Sequence, residues 1–540
     1  MGFYAGDYIL IVFAIIATFL RIWLLMLLSI GIALVLGVLA ARVKSAGAII
    51  IPVTDILEAV PVISFFPILL VFFIERIGGF MGVELASDFL IITALLWNII
   101  LGVYEATSHI PEEYFQLSEA YDLSLISKIR NLYMPAAYPH IISNIMPSFS
   151  SGLFYITLSE VISIGSENYT VFGVGSLAVQ FASTSSFFLI GVLILFLMVA
   201  IALNYYFIIN PLLLRAHKFA FDTSSTEEGR KKRETSVFVS AIGSRITHVL
   251  SSRVGALYLT LNSSDGSSAK KPRRRIRISE KQLNLLAGVT LLSLTGVAVL
   301  VAADAGFTAA FLEYLTNTST LFQLAVATGF DLLRILIVFL FSFIAMVPIA
   351  MYFGRRGRSG RFGTGIFQII YSIPAPILFP LIVEFLTPNL AAFIGSGMAY
   401  EFDVLLVTFL SAAAYIFFNV YGAAVSIPRE LEVVTQTYGI KGWRATKYLT
   451  FPGIIPGLIT GSMAAFGSYW GGLMVGEYTR VGGKTYSVNN GLMMLIDRGI
   501  ATGNLIFVDA IDLFMVFIIV IITYFVWMRL YRYSQKRFSA

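Results

Sequence analysis

Residues 104–160 recur at 421–477 with no gap, at a constant offset of 317. Fourteen of the 57 aligned pairs are identical, well above the roughly 6% expected between unrelated sequences of ordinary composition. The matches include Pro111/Pro428, Glu113/Glu430, Tyr121/Tyr438, Pro135/Pro452, Pro139/Pro456, Phe149/Phe466 and Glu160/Glu477. Upstream the offset becomes 313 and holds for Arg21/Arg334, Arg42/Arg355, Gly47/Gly360, Pro61/Pro374 and Pro67/Pro380. The four-residue difference falls near 76–90, where a loop absorbs it. Shared apolar composition does not place proline, glutamate and arginine at fixed spacing. The chain is a tandem duplication and must fold as two copies of one unit.

Hydropathy says what that unit is. The 540 residues are 58% hydrophobic and 13% charged, with a mean hydropathy of +0.84. A soluble globular chain carries about 25% charged residues, and a core of this size cannot hide so much apolar surface from water. Apolar runs long enough to cross a bilayer recur along the whole length. They are continuous rather than alternating, which excludes a membrane β-barrel. The fold class is therefore an all-α polytopic membrane protein. Spans are expected near 15–41, 49–75, 88–107, 142–163 and 186–212, then 284–303, 322–353, 363–386, 402–425, 457–477 and 507–529. That is eleven to twelve, and 8–41 is either one long tilted helix or a surface helix plus a span. The N-terminus carries no basic residue before Arg21, so the first segment reads as a retained helix rather than a signal peptide.

Charge separates the halves and orients them. Between Arg215 and Lys281 stand 15 Lys and Arg against 6 Asp and Glu, an excess of nine, while the rest of the chain is slightly acidic. The segment is read as a basic cytoplasmic linker, with anionic lipid headgroups as its contact and no nucleic-acid role. Its apolar positions at Ile242, Ile246, Val249, Leu250, Leu257 and Leu261 share one helical face, which suits either a membrane-surface helix or a disordered tether. The organisation is then a first half at 1–214 with five spans, a linker at 215–283, and a second half at 284–540 with six. The extra span restores the same orientation to both halves, a parallel arrangement used by transporters. The N-terminus falls outside and the basic C-terminus inside, and the short basic turns Arg42/Lys44 and Arg355/Arg356/Arg358/Arg361 fall inside as well.

The repeated polar stretches are HIPEEYFQLSEAYDLSLISKIRNLYMPAAYPHI and SIPRELEVVTQTYGIKGWRATKYLTFPGIIPGL. Each opens with Ile-Pro, and Pro suits the first turn of a helix. A break follows at Asp122 or Gly439, residues that tolerate a left-handed turn. A second short segment then ends at Pro135 or Pro452. Two short helices joined at a bend make a rigid docking knob on each half.

These stretches, 111–139 and 428–456, resemble the EAA loop of ABC-importer permeases, in which Gly follows the Glu by six residues and Pro follows the Gly by thirteen. Gly439 to Pro452 and Asp122 to Pro135 keep that spacing. The positions aligned with Glu-Ala-Ala are Gln116-Leu117-Ser118 and Val433-Val434-Thr435, so both copies depart from the motif's letters. FLRIWLLMLLSIGIALVLGVLA and LLRILIVFLFSFIAMVPIAMYFG and the proline pairs 61/67 and 374/380 resemble the nitrate/sulfonate/taurine branch, and WGGLMVGEYT and WMRLYRYSQKRF resemble its fused, two-half members.

The resemblance implies a type I importer permease with the MetI-like fold in the cytoplasmic membrane of a prokaryote. It implies two separate ATPase subunits on the two loops and an external solute-binding protein. ATP and Mg would be bound by those ATPases, with no cofactor and no catalytic site in this chain. The coupling positions it singles out are Gln116, Ser118, Asp122, Ser124 and Pro135, and Val433, Thr435, Gly439, Lys441, Trp443 and Pro452. Lys441, Trp443 and Arg444 against Ser124, Ile126 and Ser127 make the two surfaces chemically unequal. Alternatives are a fused permease for ferric ion or thiamine, or an ion-coupled carrier with duplicated halves.

Other residues have competing readings. Glu160 and Glu477 lie about 20 residues into their spans, where a carboxylate faces either a cavity or a partner. They line the pathway as a pair, or they make helix-end hydrogen bonds. Arg21 and Arg334 are snorkelling anchors or positive charge for an anion, and Asp331, three residues before Arg334, can pair with it. Prolines 61, 67, 374 and 376 are expected to kink their spans. GGKT at 482–485 fails as a phosphate loop because position 478 is Tyr478. There is no Cys, and His109, His140, His217 and His248 lack metal-ligand spacing.

Overall fold

The computed structural model describes residues 5–59, 62, 73, 77–121, 123–164, 167–216, 313–314, 316–481 and 484–538. Among them, eight helices are long and apolar enough to cross a membrane, or nine if the bent pair Ile129–Ile142 and Pro147–Ser159 forms one span. The expected span at 284–303, the linker, Asp122, Pro61 and Pro67 lie outside the described residues.

The first half opens with α1 (Ala5–Arg42), a single helix of 38 residues. The 8–41 stretch is thus undivided, and α1 as a whole extends about 57 Å at 1.5 Å per residue. Then come α2 (Lys44–Ala59), α3 (Gly79–Ser108), α4 (Glu112–Ala120), α5 (Leu125–Lys128) and α6 (Met134–Ser159). A hairpin of β1 (Val161–Ile164) and β2 (Glu167–Thr170) leads to α7 (Val174–Ser183), α8 (Phe187–Asn204) and α9 (Asn210–Ala216). The second half repeats this with α10 (Thr318–Gly354), α11 (Gly357–Tyr371), α12 (Ala375–Ile394), α13 (Ser396–Val425), α14 (Arg429–Thr437), α15 (Trp443–Ala445) and α16 (Phe451–Gly476). The hairpin β3 (Tyr478–Val481)/β4 (Lys484–Ser487), α17 (Leu492–Ala501), α18 (Leu505–Ile522) and α19 (Met528–Phe538) complete it.

The duplication reaches fine detail. Both hairpins are antiparallel with equivalent registers, Val161 opposite Thr170 and Tyr478 opposite Ser487. π-helical turns at Ile129–Tyr133 and Thr446–Thr450 precede Pro135 and Pro452 at the same offset. Each proline removes an amide from the helical ladder, and the turn before it widens.

Two expectations need correcting. The segment 363–386 is two helices, not one kinked span. Pro374, with φ −64° and ψ 124°, is extended and caps α12, and Pro376 sits in its first turn. The span expected at 142–163 ends at Ser159, and after Glu160, as after Glu477, the polypeptide turns back through a hairpin into a buried short helix.

Each half has its own core. In the first, α1 and α6 pack on α3, with Ile22, Ile91, Leu95, Ile99 and Phe149 buried. In the second, α10 and α16 pack on α13, around Phe417, Tyr469 and Trp470. The cores interlock, because Ile377 of α12 belongs to the first core while Leu90, Ala94 and Phe154 belong to the second. Phe187 and Phe385 meet edge to face across the halves at 6.0 Å. Leu20, Leu24 and Leu27 on α1, and Leu333, Leu336, Leu340 and Ile344 on α10, are exposed. Such stripes would be anomalous in water and are what lipid requires.

Candidate functional site

The repeated polar loops sit at one end of the bundle. In the first half, Phe115 and Ser118 of α4 turn inward and are almost fully buried. Phe115 joins Ile110, Leu132, Tyr133 and Ala136 in a small core. The Arg42 guanidinium, from the end of α1, lies 3.6 Å from the Phe115 ring centroid. The Ser118 hydroxyl donates to the Phe115 carbonyl at 2.7 Å, so Ser118 holds the helix rather than presenting a surface. Gln116, with Tyr114, Leu117 and Tyr121, faces outward.

The bend has the same hydrogen bond in both halves. The Leu123 amide donates to the Ser118 carbonyl at 3.0 Å, and the Ile440 amide to the Thr435 carbonyl at 3.0 Å. This is the six-to-one bond of a Schellman ending, which needs a left-handed residue between. Gly439 supplies it with φ +68°. Beyond the bend, the Ser124 and Ser127 hydroxyls pair at 3.1 Å, whereas Lys441, Trp443 and Arg444 are exposed.

The second loop is the more apolar surface. Val433, Tyr438 and Trp443 are 61%, 79% and 78% exposed, although they stand on a polar turn that water could solvate. Together they form an exposed aromatic and aliphatic patch on that turn. Its anchor also differs, since the guanidinium of Arg355, the counterpart of Arg42, bonds the buried Thr450 hydroxyl. Pro135 and Pro452 are each the second residue of the helix leading back into the bundle, α6 and α16.

Glu160 and Glu477 lie at the opposite end, completely buried. Glu160 accepts from the Thr18 hydroxyl at 2.9 Å and from the Gly175 amide, and Thr18 in turn accepts from the Val174 amide at 3.0 Å. Two side chains therefore take the Val174 and Gly175 amides at the N-terminus of α7, which have no acceptor within the helix. In the second half, Glu477 accepts from the Met494 amide at 3.1 Å, and Asp331 from the Leu492 amide at 2.9 Å, at the start of α17. Asp331 is the counterpart of Thr18. Gly173 and Gly491 lie so close to these carboxylates that a Cβ on either would overlap the Glu side chain. The helix-end reading is the one these contacts support.

Arg334 is neither a lipid-facing anchor nor an open charge. It is enclosed, with Glu401 at 2.8 Å, Glu477 at 3.0 Å, Asp331 at 3.1 Å and the Asn490 carbonyl at 2.8 Å. Arg21 pairs instead with Glu84, and with Asp88 at 3.3 Å. Thr18, Glu84, Glu401 and the two glycines were not among the residues expected from sequence. Glu84 and Glu401 fall at the 317 offset, a signal that a search for matched acids near matched arginines would have found. The GGKT stretch runs into β4, so it precedes a strand, whereas a phosphate loop leads into a helix.

The fold and its repeated loops define a helical membrane protein of two tandem homologous halves. The family described as "Binding-protein-dependent transport system inner membrane component" matches residues 33–215 and 346–540, once in each half. The chain belongs to that family, and is a multi-pass membrane permease subunit of an ABC importer with the MetI-like fold. No curated protein matches the chain at a significant level.

Proposed function

We propose that this single chain supplies both permease halves of its importer, and that two separate ATPase subunits dock on the loops at 111–139 and 428–456. The observation that carries the reading is the pair of exposed helix-bend-helix surfaces at one end of the bundle, closed by the same 3.0 Å hydrogen bond in each half. The loops are braced by Arg42 and Arg355 from the ends of α1 and α10. Movement of a docked ATPase dimer would thus reach the longest helices directly. ATP and Mg belong to the ATPases, and the chain itself is a transport subunit without catalysis. Conformational change is driven by the binding energy of ATP elsewhere.

The loop end, with the basic linker 215–283 and the C-terminus, is assigned to the cytoplasm, and the N-terminus and hairpins to the outside, where a solute-binding protein delivers substrate. The halves are 1–214 and 284–540. The substrate is assigned to the small anions and organic acids of the nitrate/sulfonate/taurine branch, on the segments that resemble it.

The chain has no Cys, which makes the test direct. Single Cys at Ser124 and at Lys441 should each cross-link to an ATPase carrying Cys at its docking groove, and ATP should alter the yield at both. Cross-linking at only one position, or at neither, contradicts the reading.

A further inference from the structure

The two repeated loops carry opposite charge. Residues 112–130 hold four acids and two bases, a net charge of −2, and their counterparts at 429–447 hold two acids and four bases, a net charge of +2. At the offset of 317, Glu112 aligns with Arg429, Glu119 with Gln436, Ser124 with Lys441 and Ser127 with Arg444. The charges are presented outward. Glu112, Glu113 and Glu119 are exposed on α4, and Lys441, Arg444 and Lys447 are exposed beyond the bend of the second loop. Among the described residues, none of these six is held in a salt bridge. The backbones meanwhile match, since the bend is closed in both halves by the same hydrogen bond at 3.0 Å. Geometry is common to the two loops and charge is reversed.

We propose that the two loops are docked by two different ATPase chains, one with a basic groove for the loop at 111–139 and one with an acidic groove for the loop at 428–456. The proposal rests on the importer reading and adds to it that the ATPase pair is a heterodimer held in one orientation. Two copies of a single ATPase would bring two identical grooves. A groove that complements one loop then meets like charge on the other, and such a juxtaposition suppresses the wrong partner. At contact distance the charges lie within the Debye length of about 8 Å at physiological ionic strength, so salt weakens the preference without abolishing it. Tyr121 and Tyr438, matched at the bend and 72% and 79% exposed, offer both ATPases the same aromatic contact. Charge is therefore what tells the two sites apart. The basic turns that follow α1 and α10 lean the same way, with Arg42 and Lys44 in the first half against four arginines between 355 and 361 in the second.

The test uses the full chain with its co-purified ATPases. Gln116→Cys or Val433→Cys, equivalent exposed positions in a chain with no other Cys, is labelled with benzophenone-4-maleimide and illuminated. The cross-linked peptide is then sequenced by mass spectrometry. Each position should capture a different ATPase chain, preferred at least about tenfold over the other. Adding Glu112→Lys and Glu119→Lys should cut the yield at 116 about tenfold, and adding Lys441→Glu and Arg444→Glu should do the same at 433. If a reversal does not fold, Glu119→Gln and Lys441→Ser, which exchange each residue for the one in the other half, should each lower the yield at their own loop about threefold. One ATPase sequence at both positions, or either chain at either position, overturns the proposal and leaves the importer reading intact. Yields that ignore every charge change overturn it as well. No capture at one or both positions contradicts the importer reading itself.

Discussion

The two halves solve one structural problem with different charges. In each, a short helix must begin inside the protein, and a buried glutamate receives its free amides. In the first half the second acceptor is the neutral Thr18, and Arg21 is left to Glu84 and Asp88 on α3. In the second half the acceptor is Asp331, a second carboxylate against Glu477, and Arg334 is drawn into the same cluster while keeping Glu401. Side-chain exposure follows, at 18% for Arg21 and 5% for Arg334. The pair of side-chain acceptors at the helix start is conserved across the duplication and the electrostatics are not. One change at one position, Thr to Asp, is enough to require the rearrangement, because two buried carboxylates at one helix end need a cation.

The sharpest way to break this comparison is to remove the cations. Arg334→Ala leaves three carboxylates without their partner and should cost about 3–5 kcal/mol. Arg21→Ala, in a partly solvated pair, should cost about 1 kcal/mol or less. Melting of the purified chains in detergent decides it, and equal losses would mean that the second cluster is not the more dependent one. Next in size is the anchor of the first loop. Phe115→Ala should cost about 3 kcal/mol, read by the same melting, because Phe115 is the buried centre of its small core.

The glycines test the shared part. Gly173→Ala and Gly491→Ala should each cost about 1–3 kcal/mol through overpacking against Glu160 and Glu477. The two should agree within error, and a harmless change at either would show that one cap is looser than described. The smallest expected stability effect is at Trp443→Ala, within about 0.5 kcal/mol because the ring is exposed. That variant should nonetheless lose ATPase in pull-down while melting normally. Normal ATPase retention would remove Trp443 from the docking surface.

Sequence alone carried the class of fold and the architecture of the loops. The repeat required two units, the apolar runs required helices in lipid, and Gly439 marked a left-handed turn that the structure places at φ +68°. What it did not carry was short or long-range. Four-residue strands such as Val161–Ile164 give no readable alternation, and a ten-residue helix such as α17 is too short to register as a span. The break at Pro374 looked like a kink because apolar residues, Ile366, Phe367, Ile369 and Ile370 before it and Ile377 to Phe379 after it among them, run on both sides of it. The Arg334 cluster adds positions 401 and 477 to the 331/334 pair, and only packing brings them there.

The central claim is that one chain carries both docking loops of a complete importer. The direct measurement is the mass of the intact complex released from native membranes in gentle detergent. Two ATPase subunits with one 59.4 kDa chain is the expected stoichiometry. Two permease chains per ATPase pair, or a chain that carries no ATPase, would contradict it.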